Sequence, residues 1–121
     1  MDEYEILRGI LDSHPYPIVF VDNDYVIRFM NRYAKYYYHQ ERGYKELIGK
    51  NLFDCHDYPA SGDTIKMAYE KMKKDGKDHF VGVNARNQRV YMQGVRNAEG
   101  EMIGFIERFE LNLQLPATAG Y

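Results

Sequence analysis

The sequence predicts an α+β domain: a five-stranded antiparallel sheet with helices on one face, plus an amphipathic helix at the N-terminus. Three observations lead to this prediction. Five runs rich in β-branched and aromatic residues form two groups, and short turns join the runs within each group. Helical patterns are bunched between the two groups, and another helical pattern precedes the first. Strands joined by short turns pair in antiparallel fashion, so this order favours an α+β arrangement.

The first helical pattern covers residues 3–13 and is amphipathic. Its apolar residues recur at helical spacing: Tyr4, Ile6, Leu7, Ile10 and Leu11. The segment "HPYP" ends the helix, because each proline disfavours a helical conformation in the residue before it. We expect this helix to cover the open face of the sheet or to pair two subunits as a homodimer. The residues expected in such a dimer interface are Tyr4, Leu7, Ile10 and Leu11.

The first strand pair lies between residues 18 and 31. The runs at 18–22 and 25–31 are rich in β-branched and aromatic residues, and the "ND" turn between them predicts a hairpin. Asn31 is a favourable N-cap, so we expect it to begin a helix through "RYAKYYYH". The stretch "GYKELIGK" at 43–50 then predicts one short helical turn that ends at Gly49.

The longest helix is predicted over "GDTIKMAYEKMKKDG", with Ser61 as its N-cap and Gly76 as its end. Its apolar positions follow the spacing i, i+3, i+4, i+7 and are Ile65, Ala68, Tyr69 and Met72. Three strands follow, at 78–84, 89–96 and 101–112, with the turn "NAEG" between the last two.

Length and composition indicate one folded unit, since 121 residues suit a single domain. We divide the chain into an N-terminal cap or dimerisation helix at 1–15, a domain at 16–112 and a flexible tail at 113–121. A formal net charge of −2 argues against nucleic acid as a partner. No apolar run approaches the roughly 20 residues of a membrane span. No secretory signal is visible and the single cysteine fits a reducing compartment, so we expect a cytoplasmic protein.

Three segments carry the patterns of one known family. "VFVDNDYVIRFMNRYA" is similar to an opening hairpin of the form V-D-x-D-G-x-I-x-x-x-N before a helix. "YKELIGKNLFD" is similar to an E-L-I-G segment, and "RVYMQGVRNAEGEMIGFIERFEL" to a closing hairpin with N/D-x-x-G-x-x-x-G. In this order the segments resemble the PAS family of sensor domains over most of the chain. Tyr25 departs from the pattern, because the family usually has glycine at that place in the first turn.

The resemblance implies a half-open cavity between the sheet and the middle helices. Family members use it to bind a haem, a flavin, a small metabolite or nothing, and to relay a signal. We therefore expect a sensory or regulatory domain that binds a small molecule and relays the signal to an output domain or partner protein. Two alternatives stay open: a ligand-free protein-interaction or dimerisation module, and a haem-binding redox or gas sensor. The residues expected to contact the ligand are Tyr36, Tyr37, His39, Phe53, Cys55, His56, Ile65, Tyr69, Met72, Tyr91, Gln93 and Phe105.

The family's cofactor motifs match this chain poorly. Haem-binding members commonly supply a histidine from the long helix, which has none here, so a haem would have to be held through His56. Light-sensing members place a reactive cysteine directly after the asparagine of G-R-N-C-R-F-L-Q, where this chain has Leu52. Cys55 comes three residues later, so we expect no light-sensing flavin. The sequence identifies no cofactor.

The stretch "LFDCHDYP" at 52–59 gathers a cysteine, a histidine and two aspartates. Neighbouring side chains such as Cys55 and His56 diverge, so they are poorly placed to share a metal ion or to form a catalytic dyad. We interpret the stretch as the connection into the long helix, with side chains at the rim of the cavity. Nothing in the spacing of the acidic residues and histidines selects a catalytic pair, so we expect no enzymatic activity and no metal site.

Overall fold

The computed structural model describes residues 1–41 (39–41 by their backbone alone), 43, 46–54, 62–83 and 86–111. Within these residues, three α-helices and five strands follow one another in this order: α1 (Glu3–Ser13), β1 (Val19–Asp22), β2 (Ile27–Met30), α2 (Arg32–Lys35), α3 (Gly62–Asp75), β3 (His79–Val83), β4 (Gln88–Arg96) and β5 (Met102–Leu111). A π-helical turn at Tyr36–Glu41 continues α2, and a 3₁₀ turn covers Leu52–Asp54. None of the described helices is long and apolar enough to cross a membrane.

The five strands form one antiparallel sheet in the spatial order β2-β1-β5-β4-β3. The last strand along the chain therefore lies at the centre of the sheet, between β1 and β4. This arrangement confirms the predicted α+β architecture with a five-stranded antiparallel sheet and an N-terminal helix. The predicted tail at 113–121 and the predicted N-cap Ser61 lie outside the described residues.

The segment at 46–50 differs from the predicted helical turn. Leu47 to Lys50 form a hydrogen-bonded turn, in which the Lys50 N–H donates to the Leu47 carbonyl at 3.1 Å and Gly49 has a φ of 90°. The reason is the neighbouring strand: the Gly49 N–H donates to the Ile27 carbonyl at 2.7 Å, and the Ile27 N–H donates to the Lys50 carbonyl. These bonds to β2 hold the segment beside the sheet and replace those of a helix.

The hydrophobic core lies between α3 and one face of the sheet, which we call the core face. α3 buries the four residues that its periodicity predicted: Ile65, Ala68, Tyr69 and Met72. The sheet contributes Val19, Val21, Ile27, Met30, Met92, Met102 and Phe105. Burying a side chain of this size stabilises the fold by about 1.5–3 kcal/mol, so this layer supplies much of the folding free energy.

Gly104 on β5 provides a test of the central strand pair, because it lies where β5 meets β1. A Cβ at Gly104 would lie 2.2 Å from the Val21 carbonyl oxygen and 2.7 Å from the Phe20 ring. Since the backbone cannot move without disturbing the β1–β5 pairing, we expect Gly104→Ala to lower the free energy of unfolding by about 3 kcal/mol or more. Urea denaturation followed by circular dichroism measures this change.

Gly94→Ala is the matched control. The nearest atom to a Cβ at Gly94 is the terminal methyl of Met102 at 3.3 Å, and this flexible side chain can move aside. We therefore expect Gly94→Ala to lower the free energy of unfolding by less than about 1 kcal/mol. Equal losses for the two variants would contradict the described register.

Candidate functional site

Asn31 joins α1, β1 and α2 through four hydrogen bonds. Its side chain is fully buried, and its Oδ1 accepts from the N–H groups of Ala34 at 2.9 Å and Ile18 at 3.0 Å. Its Nδ2 donates to the carbonyls of Leu11 at 2.9 Å and Tyr16 at 3.1 Å. The predicted N-cap role of Asn31 is confirmed by its bond to Ala34. Both donors and both acceptor positions of the amide are used, so the end of α1 is tied to the start of α2.

Asp12 makes a second link between α1 and α2. Its carboxylate accepts from the Arg32 N–H at 2.7 Å and from Arg8 Nε at 3.0 Å. Burial alone would raise the pKa of Asp12, but the bond from Arg32 and the charge of Arg8 outweigh it and lower that pKa. The Arg8 guanidinium also lies 4.8 Å from the centre of the Phe29 ring. The contacts of α1 described here are therefore largely polar and lie in its C-terminal half.

The apolar stripe of α1 is exposed to solvent. No residue of α1 is buried, and Tyr4, Leu7 and Ile10 are 72%, 51% and 61% exposed. Leu11 is half-buried, so it lies closer to the domain than the other three predicted interface residues. Ile6 is also exposed and lines a shallow groove along the helix with Ile10 and Gly9. An exposed apolar helix face of this kind is typical of an interaction surface.

The turn between β1 and β2 has the conformation for which glycine is usual, although its residue is Tyr25. Asp22 closes the turn by accepting from the Asp24 and Val26 N–H groups at 2.9 and 3.0 Å. Tyr25 has a φ of 63°, which costs a residue with a Cβ roughly 1–2 kcal/mol. Tyr25 therefore adopts the left-handed conformation although it carries a Cβ.

Aromatic packing holds Tyr25 in this conformation. Its ring centroid lies 4.8 Å from that of Phe53 and 5.6 Å from that of Tyr69. The Tyr69 hydroxyl donates to Asn23 Oδ1, and Asn23 Nδ2 donates to the Met102 carbonyl at 3.1 Å. Burial raises the pKa of both Tyr25 and Tyr69. The strained turn, the 3₁₀ turn and α3 thus meet in one aromatic cluster.

Five of the predicted ligand contacts lie together beside α3. Ile65, Tyr69, Met72 and Phe105 are each at most 5% exposed and belong to one core cluster. Phe53 packs against the edge of this cluster, and Lys66 Nζ lies 5.1 Å from the centre of its ring.

Tyr91 and Gln93 lie on the opposite face of the sheet, which we call the outer face. The neighbouring residue Met92 is 3% exposed on the core face, and side chains alternate along a strand. Tyr91 lies opposite Arg108, whose guanidinium carbon is 4.6 Å from the Tyr91 ring centre. Arg108 also donates to Gln93 Oε1 at 2.7 Å. The structure therefore does not bring Tyr91 and Gln93 together with Ile65.

The predicted contacts before α3 are only partly described. Tyr36 is 55% exposed, and the Tyr37 ring lies 4.9 Å from that of Tyr38 and 4.8 Å from the Arg86 guanidinium carbon. The side chain of His39, and all of Cys55 and His56, lie outside the described residues. Across the part of the chain that is described, no group of three or more histidine, cysteine, aspartate or glutamate side chains could hold a metal ion.

The outer face carries a second cluster that the sequence did not indicate. Phe80 and Tyr91 lie with ring centroids 5.4 Å apart, and the Arg89 guanidinium carbon lies 4.4 Å from the Phe80 ring centre. Arg108 pairs with Asp78 and with Glu110, whose Oε1 is 3.0 Å from Arg108 Nε. Burial alone would lower the pKa of Arg108, but these two carboxylates raise it. The cluster depends on residues brought together by three strands, so no local pattern could have predicted it.

Several solved structures, among them domains of sensor histidine kinases, share this fold. The C-terminal domain of a Streptococcus mutans protein is 21% identical, with a TM-score of 0.67 over 88% of this chain and 83% of that one. A sensory box sensor histidine kinase from Vibrio cholerae is 19% identical, with a TM-score of 0.56 over 88% and 89%. The PAS domain of the histidine kinase ThkA is 21% identical, with a TM-score of 0.54 over 77% and 95%.

These similarities confirm the predicted resemblance at the level of fold: the chain has a PAS-like fold. No protein-family model matches the sequence, and no curated protein matches it.

Tyr69→Phe tests the bond that joins α3 to the turn before β2. The variant keeps the ring but leaves Asn23 Oδ1 without its donor, so we expect the free energy of unfolding to fall by about 1 kcal/mol. Tyr4→Phe is the control. Because Tyr4 is 72% exposed, this variant should have nearly the same free energy of unfolding as wild type. Urea denaturation measures both, and similar losses would contradict a stabilising role for the Tyr69 hydroxyl.

The same two variants test how the free energy of unfolding depends on alkaline pH. Tyr69 keeps its proton in the folded state at a pH where the unfolded chain loses it, so stability should decline as pH rises above about 10. The decline should be smaller in Tyr69→Phe than in Tyr4→Phe. Urea denaturation at several pH values measures it, and identical declines would mean that the Tyr69 pKa is not raised.

Proposed function

We propose that this chain is a sensory or regulatory signal-transduction module in which α1 is the output element. The observation that carries the proposal is α1 itself. The helix is tied to the domain by Asn31 and Asp12 near its C-terminal end, while its apolar side chains Leu7 and Ile10 remain exposed. The shared fold with sensor histidine kinase structures supports the proposal.

The partner of α1 in this proposal is a second copy of the chain. Two identical helices can each cover the other's apolar stripe, as in a two-fold symmetric interface. The outer face of the sheet offers further apolar surface, since Phe80 and Val83 are 43% and 50% exposed. The pair would then relay its signal to an output domain or a partner protein.

The proposed input is a small molecule accepted by the core between α3 and the sheet. In the described residues, buried side chains pack together in this region, and four of them are the methionines Met30, Met72, Met92 and Met102. Methionine has three rotatable side-chain bonds and fills irregular spaces, so such a core can rearrange around a guest. The aromatic rings beside it favour a small aromatic carboxylate, whose ring would stack against Tyr25 or Phe53.

A haem is a poorer fit to the described residues. The face of α3 that meets the sheet presents Ile65, Ala68, Tyr69 and Met72, so it offers no imidazole to an iron ion. The proposed module acts without catalysis and in the cytoplasm, through changes in its contacts alone.

Replacing Leu7 and Ile10 together with glutamate tests the pairing. Each apolar side chain buried between two helices contributes about 1.5–3 kcal/mol, so the dimer of the double variant should be weaker by about 100-fold or more. Sedimentation equilibrium over a range of concentrations measures the change. The wild-type mass should approach twice that of one chain.

Met67→Glu is the matched control for this experiment. Met67 is 74% exposed on α3, so its replacement puts a glutamate, one of the two charges that the double variant adds, at an exposed apolar position on a different helix. We expect wild-type pairing in this variant. A wild-type chain that remains monomeric, or a double variant that pairs like Met67→Glu, would count against the proposed output.

Thermal unfolding with benzoate, 4-hydroxybenzoate and indole-3-acetate tests the proposed input. A compound that binds only the folded chain raises stability by about 2.7 kcal/mol at 100 times its dissociation constant. We expect at least one of the three to raise the melting temperature with concentration. Ala68→Val, which narrows the core, should weaken the effect, and Tyr91→Phe on the outer face should not. Unchanged melting temperatures with all three compounds would refute this class of ligand.

A further inference from the structure

We propose that Asn31 is a coupling residue that transmits displacements of α2 to α1. The inference rests on the proposed function only in treating α1 as the output element; the coupling itself is a property of one chain. The two ends of the Asn31 amide serve different partners. Oδ1 holds the start of α2 and the approach to β1, while Nδ2 holds the carbonyls of Leu11 and Tyr16.

A rigid planar amide links these partners mechanically. If α2 shifts, the Ala34 N–H draws Oδ1 with it, and the same rotation moves Nδ2 away from the Leu11 carbonyl. The side chain is fully buried, so no water stands ready to replace a broken bond. A displacement at the Oδ1 end of the amide therefore changes the hydrogen bond from Nδ2 to α1.

The position of α2 depends on the core. Ala34 is fully buried, and the π-helical turn that continues α2 carries Tyr38, whose side chain packs against the core cluster. A rearrangement of the core would therefore move α2 through Ala34 and Tyr38.

α1 is suited to respond because it has no buried side chain to anchor it separately. Its second link, from Asp12 to the Arg32 N–H, also ends on α2. Both links between α1 and α2 therefore respond to the same movement. Arg8 also contacts the Phe29 ring on β2, and both side chains are half-buried.

Asn31→Asp removes the hydrogen bonds at one end of the side chain and keeps those at the other. A carboxylate still accepts from Ala34 and Ile18, but it has no donor for the carbonyls of Leu11 and Tyr16 and repels them. We expect amide hydrogen exchange at residues 3–13 to quicken at least tenfold, while exchange at residues 32–38 stays within twofold of wild type. Exchange is measured below the concentration at which chains pair, with α3 as the internal reference.

Ala34→Gly then tests coupling in a double-mutant cycle. This variant loosens α2 directly and should speed exchange in α1 at least threefold when Asn31 is present. In the Asn31→Asp background its additional effect on α1 should be smaller than threefold, because of the two links the one from Asp12 to Arg32 still responds to α2. Should Asn31→Asp fail to fold, Asp12→Ala removes the second link instead, and Ala34→Gly must still speed exchange in α1 through Asn31.

Two results would overturn the inference. One is α1 exchange in folded Asn31→Asp that equals that of wild type. The other is Ala34→Gly, with Asn31 present, leaving α1 exchange unchanged. A chain that shows this coupling but remains monomeric in sedimentation would retain the inference and refute the proposed pairing.

Discussion

The packing of α3 across one face of the sheet is the contact on which the rest of the structure depends. Ile65 and Met72 are at most 2% exposed there, and Phe105 on the central strand is 1% exposed. A twisted antiparallel sheet can be apolar on both faces, but here the large buried side chains belong to the core face. The outer face and α1 consequently retain exposed apolar side chains, which is the condition for binding a partner.

Two polar junctions connect this core to its surroundings. Asn31 joins α1 to α2 and the start of β1, and the Tyr69 hydroxyl joins α3 to the turn before β2 through Asn23. The Asn31 side chain is fully buried in a low-dielectric setting, where the loss of a hydrogen-bond partner is costly. The core is thereby linked to α2 and α1, which a signal would have to move, while the apolar face of α1 remains exposed to solvent.

Local pattern predicted much of this fold. The spacing of Ile65 and Met72 identified the buried face of α3, and Asn31 was recognised as an N-cap, because both features depend on residues within one or two helical turns. The hydrogen bond from Asn31 to the Leu11 carbonyl joins residues that are 20 positions apart in the sequence, so no local pattern predicts it. The strand alternation placed Tyr91 and Met92 on opposite faces, but which face meets α3 depends on tertiary packing. The conformation of Tyr25 was likewise unpredictable, because its packing partners come from distant segments.

We propose above all that the apolar face of α1 is covered by a second chain. Amide hydrogen exchange of residues 3–13 at low and high protein concentration tests it most directly, since exchange reports local opening. The account predicts that α1 becomes protected as concentration rises, while exchange in α3 stays constant. Exchange in α1 that is equally fast at every concentration would contradict it.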